Sequence, residues 1–328
     1  MNEAEVTSID PSTSLLIETL EKRWRTYRSE LKRCHKEPSE EAIHDLRVAT
    51  RRLLALVDML KALYPHPRLG KLRSAFKDQL DSLDELGDTQ VMLVEVAATL
   101  GGLPELALFQ KYLTKREKRL LKSTAKARNA IKSTNIRKRV DSTRKTLFKA
   151  ENGIDGKKGL LQIVDDSFET TLRRFRRIEP AQPGTIHRAR IALKKFRYML
   201  EIMYSLVENF PDENLKHMHD YQTMMGNIQD LEVFISAFDE FAGKDSSYNP
   251  EPVRQFYEQR HSEAINAFVE DMHQIDTFWR PAPESPFPWD IGQSLEESTS
   301  TEKPAEPLPE QEKDGNGEQV ETEQEAKI

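Results

Sequence analysis

Ile43-His44-Asp45-Leu46-Arg47-Val48-Ala49-Thr50-Arg51-Arg52-Leu53 aligns without a gap with Ile186-His187-Arg188-Ala189-Arg190-Ile191-Ala192-Leu193-Lys194-Lys195-Phe196, 143 residues further on. On a helix turning about 100° per residue, His44, Arg47 and Arg51 fall on one stripe, because they stand at i, i+3 and i+7. Leu46, Leu53, Val57 and Leu60 take the other side, the side expected to bury, and Arg52 flanks the basic stripe. The second copy sets His187, Arg190, Lys194 and Arg197 in the matching stripe, with Lys195 on its flank. A second landmark recurs in the same order: Leu86-Gly87-Asp88-Thr89-Gln90 matches Met225-Gly226-Asn227-Ile228-Gln229 at a shift of 139. Two landmarks repeated in sequence predict a duplicated all-α bundle, with about four long helices in each half.

The surrounding chain agrees with this reading. Pro and Gly are sparse between Leu15 and Gln274, and apolar residues recur at three- and four-residue spacing. Helix breaks are expected at Glu37-Pro38-Ser39, Tyr64 to Pro67, Gly101 to Pro104, Asn152 to Gly159, Pro180 to Gly184, Phe210-Pro211 and Asn249-Pro250. The resulting division is a flexible N-terminus over 1–14 and a helical domain over 15–280, with halves at about 15–150 and 160–280. After Trp279 the composition turns to Pro, Glu, Ser, Thr and Gln. Too little apolar surface remains there to offset the entropy of ordering, so 281–328 is expected to be a disordered tail.

Charge is unevenly spread. The net charge is -6, but residues 281–328 carry 13 acids against 3 lysines, and residues 1–280 carry 42 acids against 46 bases. The body is therefore mildly basic and the tail acidic. Lys115 to Lys149 holds 14 Lys/Arg with only Glu117 and Asp141 as acids, which reads as a solvated helix face or linker and would also attract an anion. No run of about 20 apolar residues is present, and the first twenty residues lack the pattern of a secretory signal, so a cytoplasmic protein is expected. The single Cys34 cannot form an internal disulfide, in keeping with a reducing compartment.

Like charges at helical neighbours destabilise an isolated helix by a few tenths of a kcal/mol per pair, so the stripes call for an anionic counterpart. That counterpart is either the protein's own carboxylates, for which Asp45, Asp58, Asp81, Asp84 and Glu85 are near in sequence, or a phosphate-rich ligand. Both His44 and His187 lie near expected helix starts, where free backbone N–H groups also favour an anion. A histidine among cations resists protonation until an anion arrives, so binding should tighten as pH falls toward about 6.5.

The two segments resemble the signature helices of the conserved histidine α-helical domain family, CHAD, whose pattern is a His followed by Arg/Lys at three, seven and eight residues, twice per domain. His44, Arg47, Arg51 and Arg52 match the first copy, and His187, Arg190, Lys194 and Lys195 the second. Leu86-Gly87 and Met225-Gly226-Asn227-Ile228-Gln229-Asp230 are similar to the family's Leu-Gly-x-x-Arg-Asp landmark, with Gln90 and Gln229 at the Arg position and Val91 at the Asp position of the first copy. The resemblance spans roughly Leu15 to Phe278. It implies two pseudo-symmetric four-helix bundles around a basic central cavity, inorganic polyphosphate as the ligand, and an association with polyphosphate granules. Some members are fused to a triphosphate-processing tunnel domain. The residues before Leu15 and after Trp279 are too few and too polar to supply one, so a polyphosphate-metabolising enzyme would act in trans.

Rival classes are weaker on the sequence. An enzyme would need metal-holding carboxylates, a Gly-rich phosphate loop or an activated nucleophile, and no such loop motif occurs. The His-x-x-Lys-Gly of a phosphotransfer bundle is absent, since Val48 follows Arg47. His217-Met218-His219 diverge by 200° on a helix and lack a cysteine cluster, so neither a metal nor another cofactor is expected. A nucleic acid offers the same phosphates. Single-strand binders interleave aromatics for base stacking, however, and here only Tyr198 lies near the stripe, while Trp24, Tyr27 and Phe196 read as core. A scaffold for an acidic protein is the remaining alternative, with the acidic tail as a built-in competitor.

Overall fold

The capping chemistry expected of the sequence starts the helices. Ser39 accepts a hydrogen bond from the Ala42 amide at 3.2 Å, with Glu40 and Glu41 in the first turn, where carboxylates complement the helix dipole; this begins α2 (Glu40–Leu63). Asp10 caps α1 (Pro11–Lys36) through the Thr13 amide at 3.1 Å, and His66 Nδ1 accepts from the Arg68 amide at 3.1 Å to start α3 (Pro67–Thr99). Proline stands in the first turn of both. The remaining helices are α4 (Leu106–Ala130), α5 (Ser133–Lys149), α6 (Gly156–Phe175), α7 (Pro183–Met203), α8 (Asn214–Ala242) and α9 (Glu251–Asp271), with 3-10 turns at Tyr204–Leu206 and Met272–Thr277. The structure is a computed structural model that describes residues 10–130, 133–149, 156–244 and 248–291. The fold is all-α, without a strand among the described residues.

Helices that follow one another in sequence pack side by side, α1 to α4 in one series and α6 to α9 in another; α5 lies against α1 and α3. The two series meet where α2 crosses α7 and α3 approaches α8. The apolar faces converge there: Leu46, Leu53, Val57, Leu60, Leu193 and Phe196 are all fully buried in one large core. A smaller core ties the far tips together. Met92, Val96, Phe109 and Leu113 from α3 and α4 interlock with Leu231, Phe234, Phe238 and Tyr257 from α8 and α9. The Phe234 and Tyr257 rings stack at 3.9 Å, and Phe109 meets Phe234 and Phe238 edge-on at 5.5 and 5.4 Å.

Both expected ends of the domain extend further than composition suggested. Pro11 to Ser14 form the first turn of α1. Past Pro281 the chain stays packed as far as the described residues reach, because Phe287 and Trp289 stack on each other at 4.7 Å and both meet Trp279. Residues 292–328, most of the expected tail, lie outside the described residues. Asp165 of α6 anchors this closing segment. It accepts from Trp279 Nε1 at 2.7 Å and from the Arg280 fork at 3.0 and 2.6 Å, while only 7% exposed. Removing one member of a buried, hydrogen-bonded ion pair costs about 3–5 kcal/mol. Asp165→Ala should therefore lower the unfolding free energy by about that amount, read from urea unfolding followed by tryptophan fluorescence.

Candidate anion-binding site

The α2–α7 crossing turns the two basic stripes toward each other. Arg47 and Arg51 on α2 lie close enough to Arg190 and Lys194 on α7 for each set to disfavour the other's positive charge. Arg51 and Arg190 are both pushed below the usual arginine value, first by burial and then, among other neighbours, by a guanidinium of the opposite helix. Lys194 is affected most. Burial comes first, followed by Arg51, Arg190, Arg47 and Arg197, and together they bring its pKa down to about 6. His187 is also held below its ordinary value, by burial and then by Arg190. His44 is exposed at the outer end of its stripe.

Carboxylates offset only part of this charge. Asp84 accepts from Arg47 at 3.0 Å and stands 3.7 Å from Arg51; Asp88 accepts from Arg47 at 3.2 Å. Both carboxylates remain more than 40% exposed, which weakens such pairs. Of the five acids near the first stripe in sequence, Asp84 alone reaches Arg47 and Arg51. Asp45 pairs with Arg33, Asp58 with Arg73, Asp81 with Lys77, and Glu85 with Arg116. In the second copy, Asp230 stands near Arg190, and burial raises its pKa. Among the described residues, neither Arg190 nor Lys194 has a carboxylate oxygen within 4.0 Å. Arg47 Nε, Arg190 Nε and His187 Nδ1 are buried polar atoms without a hydrogen-bond partner among the described residues.

Two glycines make the arrangement possible. A Cβ at Gly87 on α3 would fall 1.8 Å from Arg47 Nη1, and one at Gly226 on α8 would fall 3.0 Å from Arg190 Nη2. Each arginine thus lies against the bare backbone of the next helix. The repeated Leu-Gly and Met-Gly landmarks signalled this, although the sequence reading gave them no role.

The flanking cations do something different. Arg52 Nε stands 3.4 Å from Glu201 on α7, and Lys195 Nζ stands 3.9 Å from Asp58 on α2. Each residue of the second pair stands 143 positions from its counterpart in the first, so the same contact is made twice across the crossing. Arg52 and Lys195 therefore reach across the crossing from outside the inner ridge, each half-exposed against a carboxylate of the opposite helix. Arg197 is buried; it donates to Gln222 at 3.1 Å, pairs with Glu201 at 3.1 Å and covers the Tyr198 ring at 4.9 Å. Sequence reading missed Arg23, whose guanidinium donates to the carbonyl oxygens of Arg52 and Tyr198. Two cavities, of about 360 and 240 Å³, lie elsewhere on these helices, and neither is lined by Arg47, Arg51, Arg190 or Lys194.

In the basic stretch over 115–149, Arg116 and Arg119 share Glu85, and Arg144 reaches Glu21, while Lys115, Lys118 and Lys122 face solvent. His217 and His219 are both exposed, on either side of buried Met218. No group of three His, Cys, Asp or Glu suited to a metal occurs among the described residues, and none of the described helices is long and apolar enough to cross a membrane.

The chain belongs to the CHAD domain family, whose profile matches residues 18–239. The crystal structure of the CHAD domain from the plant Ricinus communis superimposes with a TM-score of 0.66 at 19% identity, covering 81% of this chain and 92% of that one. No curated protein matches the chain.

Folding here must place Lys194 where its charged form is disfavoured. Between about pH 6 and the ordinary lysine value of 10.5, the unfolded chain binds more protons than the folded one, so this group's share of stability rises with pH across that window. Lys194→Met should accordingly be stabilising relative to wild type below pH 6, and the gain should shrink as pH approaches 10. Urea unfolding of both proteins at pH 5, 7 and 9 checks this.

Proposed function

We propose that this protein binds inorganic polyphosphate without transforming it, through Arg47, Arg51, Arg190 and Lys194 in the inner ridge and His44 and His187 at its ends. The observation that carries the reading is the unmet charge at Lys194, which sits among four arginines with no carboxylate in contact among the described residues. A chain of phosphates supplies closely spaced oxygens to several cations at once, for which Arg forks are suited in geometry and Lys as a point charge. Binding would restore the charge on Lys194 and His187, so complex formation takes up protons at neutral pH and weakens as pH rises above about 6. Arg52 and Lys195 act by holding the two helices at their crossing. A basic cavity enclosing the ligand, a cytoplasmic location at polyphosphate granules and a polyphosphate-metabolising enzyme in trans belong to the same proposal.

Nucleic acid is the second reading. Tyr198, the aromatic residue of the ridge, is 5% exposed and lies under Arg197, so it offers no open face for a base. The ridge meets phosphates and leaves bases unread.

Titration with long-chain polyphosphate, competed by single-stranded RNA at several salt concentrations, tests the ligand. Polyphosphate is expected to win at every salt concentration; preference for RNA would overturn the proposal. Replacing Arg47, Arg51, Arg190 and Lys194 by Ala should abolish binding at moderate salt, with the salt slope reduced by roughly one for each phosphate contact removed and helicity unchanged. Gly87→Ala gives a subtler test. Alanine favours a helix over glycine by about 1 kcal/mol, so the fold should persist, while the new Cβ displaces Arg47 and weakens polyphosphate binding. Unchanged affinity in this variant would remove Arg47 from the site.

A further inference from the structure

The cavity of about 360 Å³ at the junction of α1, α2, α7 and the start of α8 has no part in the inner ridge. Ala49 and Arg52 line it, roughly 150° around α2 from Arg47 and Arg51. Lys22, Arg23 and Arg52 present cations to it, Thr19 and Thr26 present hydroxyls, and Glu201 is the one acid among its lining residues.

Glu201 is overdrawn. Its Oε2 serves Arg52 at 3.4 Å and Arg23 at 3.9 Å, and its Oε1 serves Arg197 at 3.1 Å. Among the lining residues Lys22, Arg23 and Arg52 meet one carboxylate, an excess of two positive charges, and Arg197 behind the wall draws on that same carboxylate. The arrangement is firmly built: the Arg23 and Arg197 side chains are 11% and 9% exposed and Glu201 16%, and Arg23 is fixed by the carbonyl oxygens of Arg52 and Tyr198. Burial first, with Arg52 adding to it, outweighs Glu201 at Arg23 and brings its pKa down to about 10. One phosphate group brings about -1.5 to -2 and three acceptor oxygens, whereas two linked phosphates bring enough oxygens to meet three cations and both hydroxyls at once. Lys22 is exposed at the entrance, and the opposite wall carries Tyr204, 41% exposed and braced at 5.7 Å by Phe210.

We propose that this cavity is a second anion site, which holds the diphosphate group of a small molecule between Lys22, Arg23 and Arg52. It lies behind α2 and is independent of polyphosphate binding at the ridge. The diphosphate comes either free or joined to an aromatic body resting on Tyr204, as in a nucleoside diphosphate.

The test uses the full chain carrying Arg47→Ala, Arg51→Ala, Arg190→Ala and Lys194→Ala, which disables the ridge, titrated calorimetrically with pyrophosphate and with ADP at low salt. At least one probe should bind at a single site. Adding Lys22→Glu, an exposed position whose reversal leaves the fold intact by circular dichroism, should weaken binding about tenfold or more, the effect of losing one charge-assisted contact. Arg52→Gln should act in the same direction. ADP binding tighter than pyrophosphate, with the difference removed by Tyr204→Ala, assigns the site to a nucleotide; equal binding assigns it to free diphosphate. If neither probe binds in the ridge-disabled chain, or if Lys22→Glu leaves binding unchanged, the second site does not exist. Either result would leave the polyphosphate proposal standing.

Discussion

The crossing of α2 and α7 forces cations together in a partly desolvated space, and much of the surrounding structure answers that repulsion. Asp84 and Asp88 reach in from α3, and Asp230 stands by from α8. Two glycines clear room for the arginines to lie flat on neighbouring backbones. What these devices leave over settles on Lys194, the residue most easily discharged, because an ammonium can lose a proton at a cost that a guanidinium cannot match. The ridge therefore holds its unmet charge in a form that protonation of Lys194 can restore.

Holding such a site requires a framework that does not yield, and the apolar packing supplies it. One core fills the space behind α2 and α7, and the aromatic cluster at the far tips locks the α3–α4 pair to the α8–α9 pair. The outer clamps, Arg52 with Glu201 and Lys195 with Asp58, add direction to this adhesion, since they hold one crossing geometry where apolar contact alone would tolerate others. Close packing thus sets the separation of the ridges, and polar contacts set their register.

Much of the fold was legible because it depends on local pattern. Helical periodicity located the buried positions Leu46, Leu53, Val57 and Leu60, and the Pro and Gly breaks fell at helix ends. Partner choice was harder to read. Asp84, Asp58 and Glu85 looked alike as neutralisers of the first stripe, yet helix rotation sends each to a different cation. The role of Gly87 was hidden because the atom that requires it, Arg47 Nη1, belongs to a residue on another helix. Arg52 and Lys195 were legible as flanks of the stripe, but their partners were not, because the carboxylates that meet them, Glu201 and Asp58, come from the opposite helix. Composition likewise hid the packing of Phe287 and Trp289, since two aromatics inside a Pro- and Glu-rich stretch barely change its average.

The doubled clamp also bears on autonomy. Asp58 holds Arg73 of its own series and Lys195 of the other, and Glu201 holds Arg197 of its own and Arg52 of the other. Each carboxylate thus has a partner in its own series and another across the crossing. The tip cluster is also built from both sides, with Phe109 from one and Phe234, Phe238 and Tyr257 from the other. Split apart, either series would bare a sticky aromatic end and a half-filled clasp. One chain carrying both series keeps each of these faces covered by the other.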